Sequence, residues 1–159
     1  MNVPTADICD KYPEQVQLAS IPFHSYGKKQ SFAGPIATVH VHEDNVLVEQ
    51  ALNDVPEGTV LVVDGEGSKA CALMGDRLAA IAQDRSLAGV IINGCIRDSA
   101  EINDLDTGIF ALGTNPFKSK KSGDGQRDVQ LTFASLTWKP NMWVYADEDG
   151  ILLTESKLQ

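Results

Sequence analysis

Gly75-Asp76-Arg77-Leu78, followed one helix and one apolar run later by Arg97-Asp98-Ser99-Ala100-Glu101, are the residues whose types and spacing could do chemistry. A helix beginning at Asp76 leaves its first amides, including those of Arg77 and Leu78, without intrahelical partners, and such amides form an anion site with a favourable dipole. Gly75 in front of that helix lets the backbone approach a ligand closely. Arg97 offers a planar fork for a carboxylate. Its neighbour Asp98 suits Mg²⁺ or Mn²⁺, which commonly take one or two protein carboxylates and complete their shell with water and substrate oxygens. A 2-keto acid could chelate such a cation through its carboxylate and keto oxygen, the cation acting as a Lewis acid for charge that develops on the latter. The matching chemistry is cleavage of the bond beta to the ketone, leaving a pyruvate enolate. Retro-aldol cleavage of a 4-hydroxy-2-keto acid and decarboxylation of oxaloacetate both fit, and the second needs no base to strip a hydroxyl proton. The same spacing also fits a solvated Arg-Asp pair and an Asp76 that merely caps its helix for about 1 kcal/mol, so spacing alone leaves the choice open.

The elements that must position these residues are legible from periodicity. Val60-Leu61-Val62-Val63 and Val90-Ile91-Ile92 are continuous apolar runs of β-branched character, as expected of strands buried on both faces. Between them Leu78, Ile81 and Ala82 recur at helical spacing over about Asp76 to Arg85. Strand, helix and strand in this order predict a βαβ unit with parallel strands and a right-handed crossover. Its ligand site is expected beyond the carboxyl ends of the strands, where Gly94-Cys95-Ile96-Arg97-Asp98 leaves the second run. Thr5 is expected to cap a helix through about Glu14. Ile36 to His42 alternates as a strand, and Asp44 or Asn45 should cap a helix carrying Val46, Leu47, Val48 and Leu52. After a short helix over Ser99 to Leu105 the chain turns β-rich at Ile109 to Leu112, Val129 to Thr137, Trp143 to Tyr145 and Ile151 to Leu153. A mixed α/β domain with a parallel centre and antiparallel flanks follows.

A chain of 159 residues, 43% hydrophobic and 22% charged, is the size of one ordinary domain, 1–159, with no linker or repeat to divide it. The net charge of −9 repels phosphate backbones and disfavours direct nucleic-acid binding. It does not forbid an anionic substrate, since a local Arg and a cation outweigh a diffuse field at contact distance. Cys9, Cys71 and Cys95 are odd in number and widely spaced, which predicts reduced thiols. Neither a signal-like start nor a membrane-length apolar run is present, so a cytoplasmic protein with no membrane contact is expected.

Other features read more plainly. His40 and His42 at i, i+2 lack a third ligand for zinc and are expected at the surface. Gly65-Glu66-Gly67-Ser68-Lys69 lacks the spacing of a phosphate loop and is expected to be a turn. Lys118, Lys120, Lys121 and Arg127, interleaved with glycines, predict a solvated mobile loop, with protein or RNA contact as the lesser reading. Trp138 and Trp143 are expected in the core or at a subunit interface. Cys95 beside Arg97 could be an activated thiol, but no nearby His offers a base.

Tyr12-Pro13, Ser31-Phe32-Ala33-Gly34, Val60 to Ser68, Gly75 to Ala79, Gly94 to Asp98 and Val144 to Ile151 together resemble the RraA-like family over nearly the whole chain, in the right order. That family includes the regulator of ribonuclease E activity A and the metal-dependent 4-hydroxy-4-methyl-2-oxoglutarate (4-carboxy-4-hydroxy-2-oxoadipate) aldolases. The resemblance implies a compact β/β/α sandwich like the swivelling phosphohistidine domains, and a ring-shaped homotrimer with sites between subunits. It implies that Gly75 to Leu78 and Arg97 bind the substrate carboxylate, that Asp98 holds a divalent cation, and that Asp76 helps place an acid/base water. Glu101, three positions after Asp98, belongs to the aldolase pattern as a candidate for the surrounding shell. Regulators of the family often lack the acid after the Arg, and this chain keeps Asp98, which favours catalysis over pure regulation. The alternative implied is a protein that contacts ribonuclease E or a helicase and does no chemistry. Larger aldolases add a C-terminal acidic group that reaches a neighbour's site, while the sequence ends at Gln159, so oxaloacetate decarboxylation is expected ahead of cleavage of the bulkier methylated substrate. Methyl transfer in quinone synthesis is not supported, because no Gly-rich cofactor loop with a trailing acidic partner is evident.

Overall fold

Val60–Asp64 (β4) and Gly89–Ile96 (β6) are buried at every position and pair parallel, Val60 opposite Gly89 through Asp64 opposite Asn93. Their side chains alternate between two cores. Leu61, Val63, Val90 and Ile92 pack under two helices, while Val60, Val62 and Ile91 face a second layer of strands. That two-sided burial is why these runs carry no polar alternation.

The computed structural model describes residues 3–158; Met1, Asn2 and Gln159, which the sequence reading counts in the same domain, lie outside the described residues. In chain order the other elements are α1 (Thr5–Lys11), β1 (Gln17–Leu18), β2 (His24–Tyr26), β3 (Phe32–His40), α2 (Val46–Asp54), β5 (Ala72–Met74), α3 (Asp76–Asp84), α4 (Ser99–Asn103), β7 (Ile109–Thr114), β8 (Gln126–Arg127), β9 (Leu131–Phe133), β10 (Leu136–Trp138), β11 (Trp143–Asp147) and β12 (Gly150–Thr154). The main sheet runs β1-β12-β11-β3-β4-β6-β7-β2, with β5 beside β6 and β8 beside β3. Its centre, β3-β4-β6-β7, is parallel, and β11, β12, β1 and β2 join antiparallel.

The two edges, β1 and β2, are joined only by residues 19–23. Laid flat at about 4.8 Å per strand, eight strands would separate them by roughly 34 Å, whereas the link reaches about 20 Å. The sheet therefore curls into a half-barrel. Its concave side is filled by Phe32, Ile36, Val60, Val62, Ile91 and Phe110, and by Val144, Ile151 and Leu153 from the other limb. The β9–β10 hairpin covers this core, with Trp138 fully buried and stacked on Phe133 at 4.6 Å. On the outer side α2 buries Val48, Ala51 and Leu52, and α3 buries Leu78, Ala79 and Ala82. The layers are thus strand, strand and helix, the β/β/α sandwich expected. No described helix is long and apolar enough to cross a membrane.

Several local expectations are corrected. Thr5 is the first residue of α1 rather than its cap, which is Pro4, and the helix stops at Lys11. Thr5 instead gives its amide and hydroxyl to Asp147, at 2.8 and 2.7 Å, fastening α1 to the sheet. The strand placed at Ile36 to His42 starts at Phe32 and ends at His40, because its first half pairs with β11. Val129 to Thr137 is not one strand. Ala134 and Ser135 both adopt positive φ, 54° and 62°, and turn it into a two-residue hairpin whose twist needs such angles.

Burial alone would raise the Asp147 pKa, but the donors Thr5, Asp149 and Gly150 outweigh it and hold the carboxyl below its ordinary value. A depressed folded pKa stabilises the fold above the unfolded value, about 3.9, and that contribution is lost as pH falls through the folded value. Asp147→Asn should therefore lower denaturant stability at pH 7 by about 1–2 kcal/mol and flatten the acid limb of the stability–pH curve. An acid limb identical to wild type would contradict this role.

Candidate active site

β4 ends at Asp64, whose Oδ1 accepts the Glu66 amide at 2.9 Å and the Asn93 side-chain amide at 3.0 Å, and the chain turns out of the sheet. It returns as β5 in the strand position β4 has vacated, pairing with Cys95 and Ile96. This hidden three-residue strand carries β6 on to Ile96, well past the apolar run visible in sequence. The Arg97 amide then bonds the Met74 carbonyl at 2.9 Å, so Gly75 and Arg97 leave the sheet side by side.

Two helices start there. Gly75 is the N-cap of α3, and Asp98 is the N-cap of α4 with φ 57°, a left-handed conformation that Asp tolerates better than most residues. That conformation turns the Asp98 carboxylate back toward α3, where Oδ2 accepts the Asp76 amide at 3.1 Å. A Cβ on Gly75 would lie 2.6 Å from Asp98 Oδ2 and 3.5 Å from Arg97 Cγ. Glycine is needed here for close approach rather than for its backbone angles.

Gly75, Asp76, Arg77, Leu78, Arg97 and Asp98 line one cleft of about 70 Å³. Among the described residues the amides of Arg77 and Leu78 have no backbone acceptor, Arg97 makes no ion pair, and Asp98 Oδ1 accepts no hydrogen bond. The Arg77 side chain is taken up elsewhere. It forms a bidentate pair with Glu49 of α2, 2.7 and 3.1 Å, and holds the Glu49 carboxyl below its ordinary value. Arg77 thus offers the cleft its backbone, as does Leu78, whose side chain is 2% exposed in the core. Glu101 is exposed on α4 and does not line the cleft.

The other wall is made of residues that the sequence did not assign to the site: Asn45, Ala72, Lys118, Ser119 and Lys121. The segment expected to be a mobile solvated loop is fastened along its length. The Ala72 amide bonds the Phe117 carbonyl at 2.8 Å, the Lys120 amide bonds Glu43 O at 2.8 Å, and Lys121 Nζ reaches Asn45 Oδ1 at 3.0 Å. Lys118 and Lys121 therefore bring positive charge to a cleft in a chain of net charge −9. The lysine cluster was the available sequence signal, but only long-range pairing shows that two of its members face Arg97.

Among the described residues no group of three or more His, Cys, Asp and Glu could hold a metal ion by itself. The chemistry of the cleft is still compatible with Mg²⁺ or Mn²⁺, which accept one carboxylate oxygen plus water and substrate, and Asp98 Oδ1, which accepts no hydrogen bond among the described residues, would be that oxygen. His40 and His42 are surface residues facing carboxylates, His40 with Glu66 at 3.0 Å and His42 between Glu43 and Glu66 at 3.3 and 3.4 Å. His42 lies past the end of β3, so the two do not share a strand as expected. Cys95 is 1% exposed, and burial pushes its thiol pKa up, which opposes a nucleophilic role.

A family model described as RraA-like, Aldolase/RraA, matches residues 5–153. A Bacillus anthracis protein named "Putative 4-hydroxy-4-methyl-2-oxoglutarate aldolase" is 52% identical over 154 residues, 97% of each chain. A Geobacillus kaustophilus structure described as an S-adenosylmethionine:2-dimethylmenaquinone methyltransferase superposes with TM-score 0.97 at 58% identity, covering 98% of this chain and 97% of that one. The RNA-processing inhibitor RraA from Thermus thermophilis superposes with TM-score 0.95 at 39% identity, covering 100% and 96%.

Gly75→Ala is expected to push the Asp98 carboxylate off the α3 amide, measured as loss of hydrogen-exchange protection at the Asp76 amide by about tenfold or more. Gly113→Ala, where an added Cβ meets nothing within 4 Å, serves as the control and should leave that amide unchanged.

Proposed function

Because the chain belongs to the RraA-like family, we propose that it is a divalent-metal-dependent carbon–carbon lyase. Its substrates would be small 2-keto acids of the 4-hydroxy-4-methyl-2-oxoglutarate or 4-carboxy-4-hydroxy-2-oxoadipate aldolase type, with oxaloacetate decarboxylase activity. The observation that carries this reading is the convergence, in one cleft, of unpaired α3 amides, the Arg97 guanidinium and an Asp98 oxygen with no protein partner.

In this reading Arg97 and the amides of Arg77 and Leu78 grip the substrate carboxylate and fix its orientation. Asp98 holds Mg²⁺ or Mn²⁺. When bound, the cation supplies Lewis acidity for the negative charge that the substrate's keto oxygen acquires as the carbon–carbon bond breaks. Asp76, exposed on the first turn of α3, orients a water that removes the C4 hydroxyl proton in retro-aldol cleavage and returns a proton to carbon afterwards. Decarboxylation needs only the second transfer. Lys118 and Lys121 line the same cleft, and in this reading they would meet the far carboxylate of a dicarboxylate. Cations there stabilise an aldol substrate throughout its reaction, but favour the ground state of oxaloacetate over its decarboxylation transition state, where that charge is disappearing.

A homotrimer with clefts at subunit boundaries, and a cytoplasmic location, belong to the same proposal. Phe117, 73% exposed beside Lys118, supports the assembly, since a neighbouring subunit would cover it. Methyl transfer is not favoured, because no Gly-rich cofactor loop with a trailing acidic partner is evident in the sequence. The likeness to the Thermus RNA-processing inhibitor supports a second reading, a protein that binds ribonuclease E or a helicase without chemistry. Its acidic surface suits a basic protein partner rather than RNA.

Pyruvate should form from oxaloacetate with Mg²⁺ or Mn²⁺ and cease with EDTA. Asp98→Ala should lower kcat/KM on the order of a hundredfold or more, and Arg97→Lys should chiefly raise KM, because a point charge replaces a bidentate fork. Inhibition of an endoribonuclease by a protein with no metal-dependent turnover on oxaloacetate or on 4-hydroxy-2-keto acids would decide for the second reading.

A further inference from the structure

Asp44 is a carboxylate 1% exposed that takes no part in the chemistry above and does not line the cleft. It sits immediately before the Asn45 N-cap of α2, and its two oxygens divide their partners. Oδ1 accepts the Val46 amide at 3.1 Å, at the start of α2. Oδ2 accepts the Ser122 and Gly123 amides at 2.8 and 3.0 Å, from the segment that carries Lys118 and Lys121. Burial would raise this carboxyl's pKa, yet the amides of Val46, Ser122, Asp124 and Gly123 together hold it below its ordinary value. It therefore stays an anion and keeps accepting from both elements at neutral pH.

Next to it, Asn45 completes a bracket. Its Nδ2 donates to the Leu73 carbonyl of β5 at 3.2 Å, and its Oδ1 accepts Lys121 Nζ at 3.0 Å. Asn45 thus links β5, which leads to Gly75, to the lysine segment. Asp44 joins the start of α2 to the far end of the segment, beside the backbone bonds from the Asn45 amide to the Lys120 carbonyl and from the Lys120 amide to the Glu43 carbonyl. Resting on the proposed function, we infer that Asp44 is a positioning residue that sets the cationic wall of the cleft and thereby its preference for keto acids with a second carboxylate. It acts through Lys121 and Asn45 without touching substrate. Removing it should loosen selection for the far carboxylate and spare the Asp98 and Arg97 wall, which is built on β6.

Asp44→Asn is the informative change, since the amide keeps the shape but only one acceptor, and so leaves an NH₂ group facing either the Val46 amide or the Ser122 and Gly123 amides. Binding of pyruvate and of 2-oxoglutarate, which share the keto-acid head and differ in a second carboxylate, is measured calorimetrically with saturating Mn²⁺, so no turnover is required. Wild type is expected to hold 2-oxoglutarate about tenfold tighter than pyruvate, the scale of one charge-assisted hydrogen bond. Asp44→Asn should erase that margin while pyruvate and Mn²⁺ affinities stay within about twofold of wild type. An unchanged margin, or equal losses for both acids and Mn²⁺, overturns the inference and leaves the proposed function standing. Wild type that binds neither acid overturns the proposed function and this inference with it. Should Asp44→Asn fail to fold, hydrogen exchange in wild type decides. Protection at the Ser122 and Gly123 amides must rise with Mn²⁺ and 2-oxoglutarate and not with Mn²⁺ and pyruvate, and equal protection in the two cases overturns the inference.

Discussion

The hydrogen bond from the Asp76 amide to Asp98 Oδ2, 3.1 Å long, ties together the starts of two helices that are 22 residues apart, and the cleft exists only where they meet. Three conditions make it possible. β5 must replace β4 beside β6, so that Gly75 and Arg97 leave the sheet together. Residue 75 must lack a side chain, because a Cβ would fall 2.6 Å from the carboxylate. Asp98 must turn left-handed at the head of α4, which aims its side chain across the gap instead of along its own helix. With one oxygen spent on the amide, the other keeps a fixed direction, which a cation held by a single protein carboxylate requires.

Opposite that pair of helix starts stands a wall of different origin. The segment 117–123 has no regular structure of its own, and its backbone is held by the Ala72 amide, the Glu43 carbonyl and the Asp44 carboxylate rather than by hydrophobic burial. It places two lysines over the cleft of an acidic protein. At separations of several ångströms such charges outweigh the diffuse field of a surface with net charge −9. The positive character of the cleft is thus a local property, carried by Arg97, helix amides and lysines, and bulk charge describes only the remainder of the molecule.

Much of the scaffold was legible beforehand because burial is two-sided at its centre. Val60 to Val63 and Val90 to Ile92 announce buried parallel strands, and Leu78, Ile81 and Ala82 announce the helix between them, so the βαβ core and the approximate place of the cleft followed. Short elements were not legible. Ala72 to Met74 is three residues long and has no periodicity, and β1, β2 and β8 are held by neighbours and not by local preference. Val129 to Thr137 looks like one strand because nothing in Ala134-Ser135 signals a turn; the hairpin is imposed by burying Phe133, Leu136 and Trp138 on the concave core. Thr5 has the residue type of a cap, and its hydroxyl went instead to Asp147, 142 positions away.

For the site the division is similar. The sequence by itself determined the chemical inventory: an Arg-Asp pair after a buried strand, a glycine before an amphipathic helix, and a family pattern that names both. Tertiary structure alone decided how these groups are used. It diverted the Arg77 guanidinium to Glu49, left Glu101 outside the cleft, and brought Asn45, Lys118 and Lys121 to face Arg97. The physical reason is reach. Periodicity and spacing report what a residue does within its own element, whereas these contacts join residues 20 to 80 positions apart, and their partners are selected by strand order and by the need to satisfy buried polar groups such as Asp44.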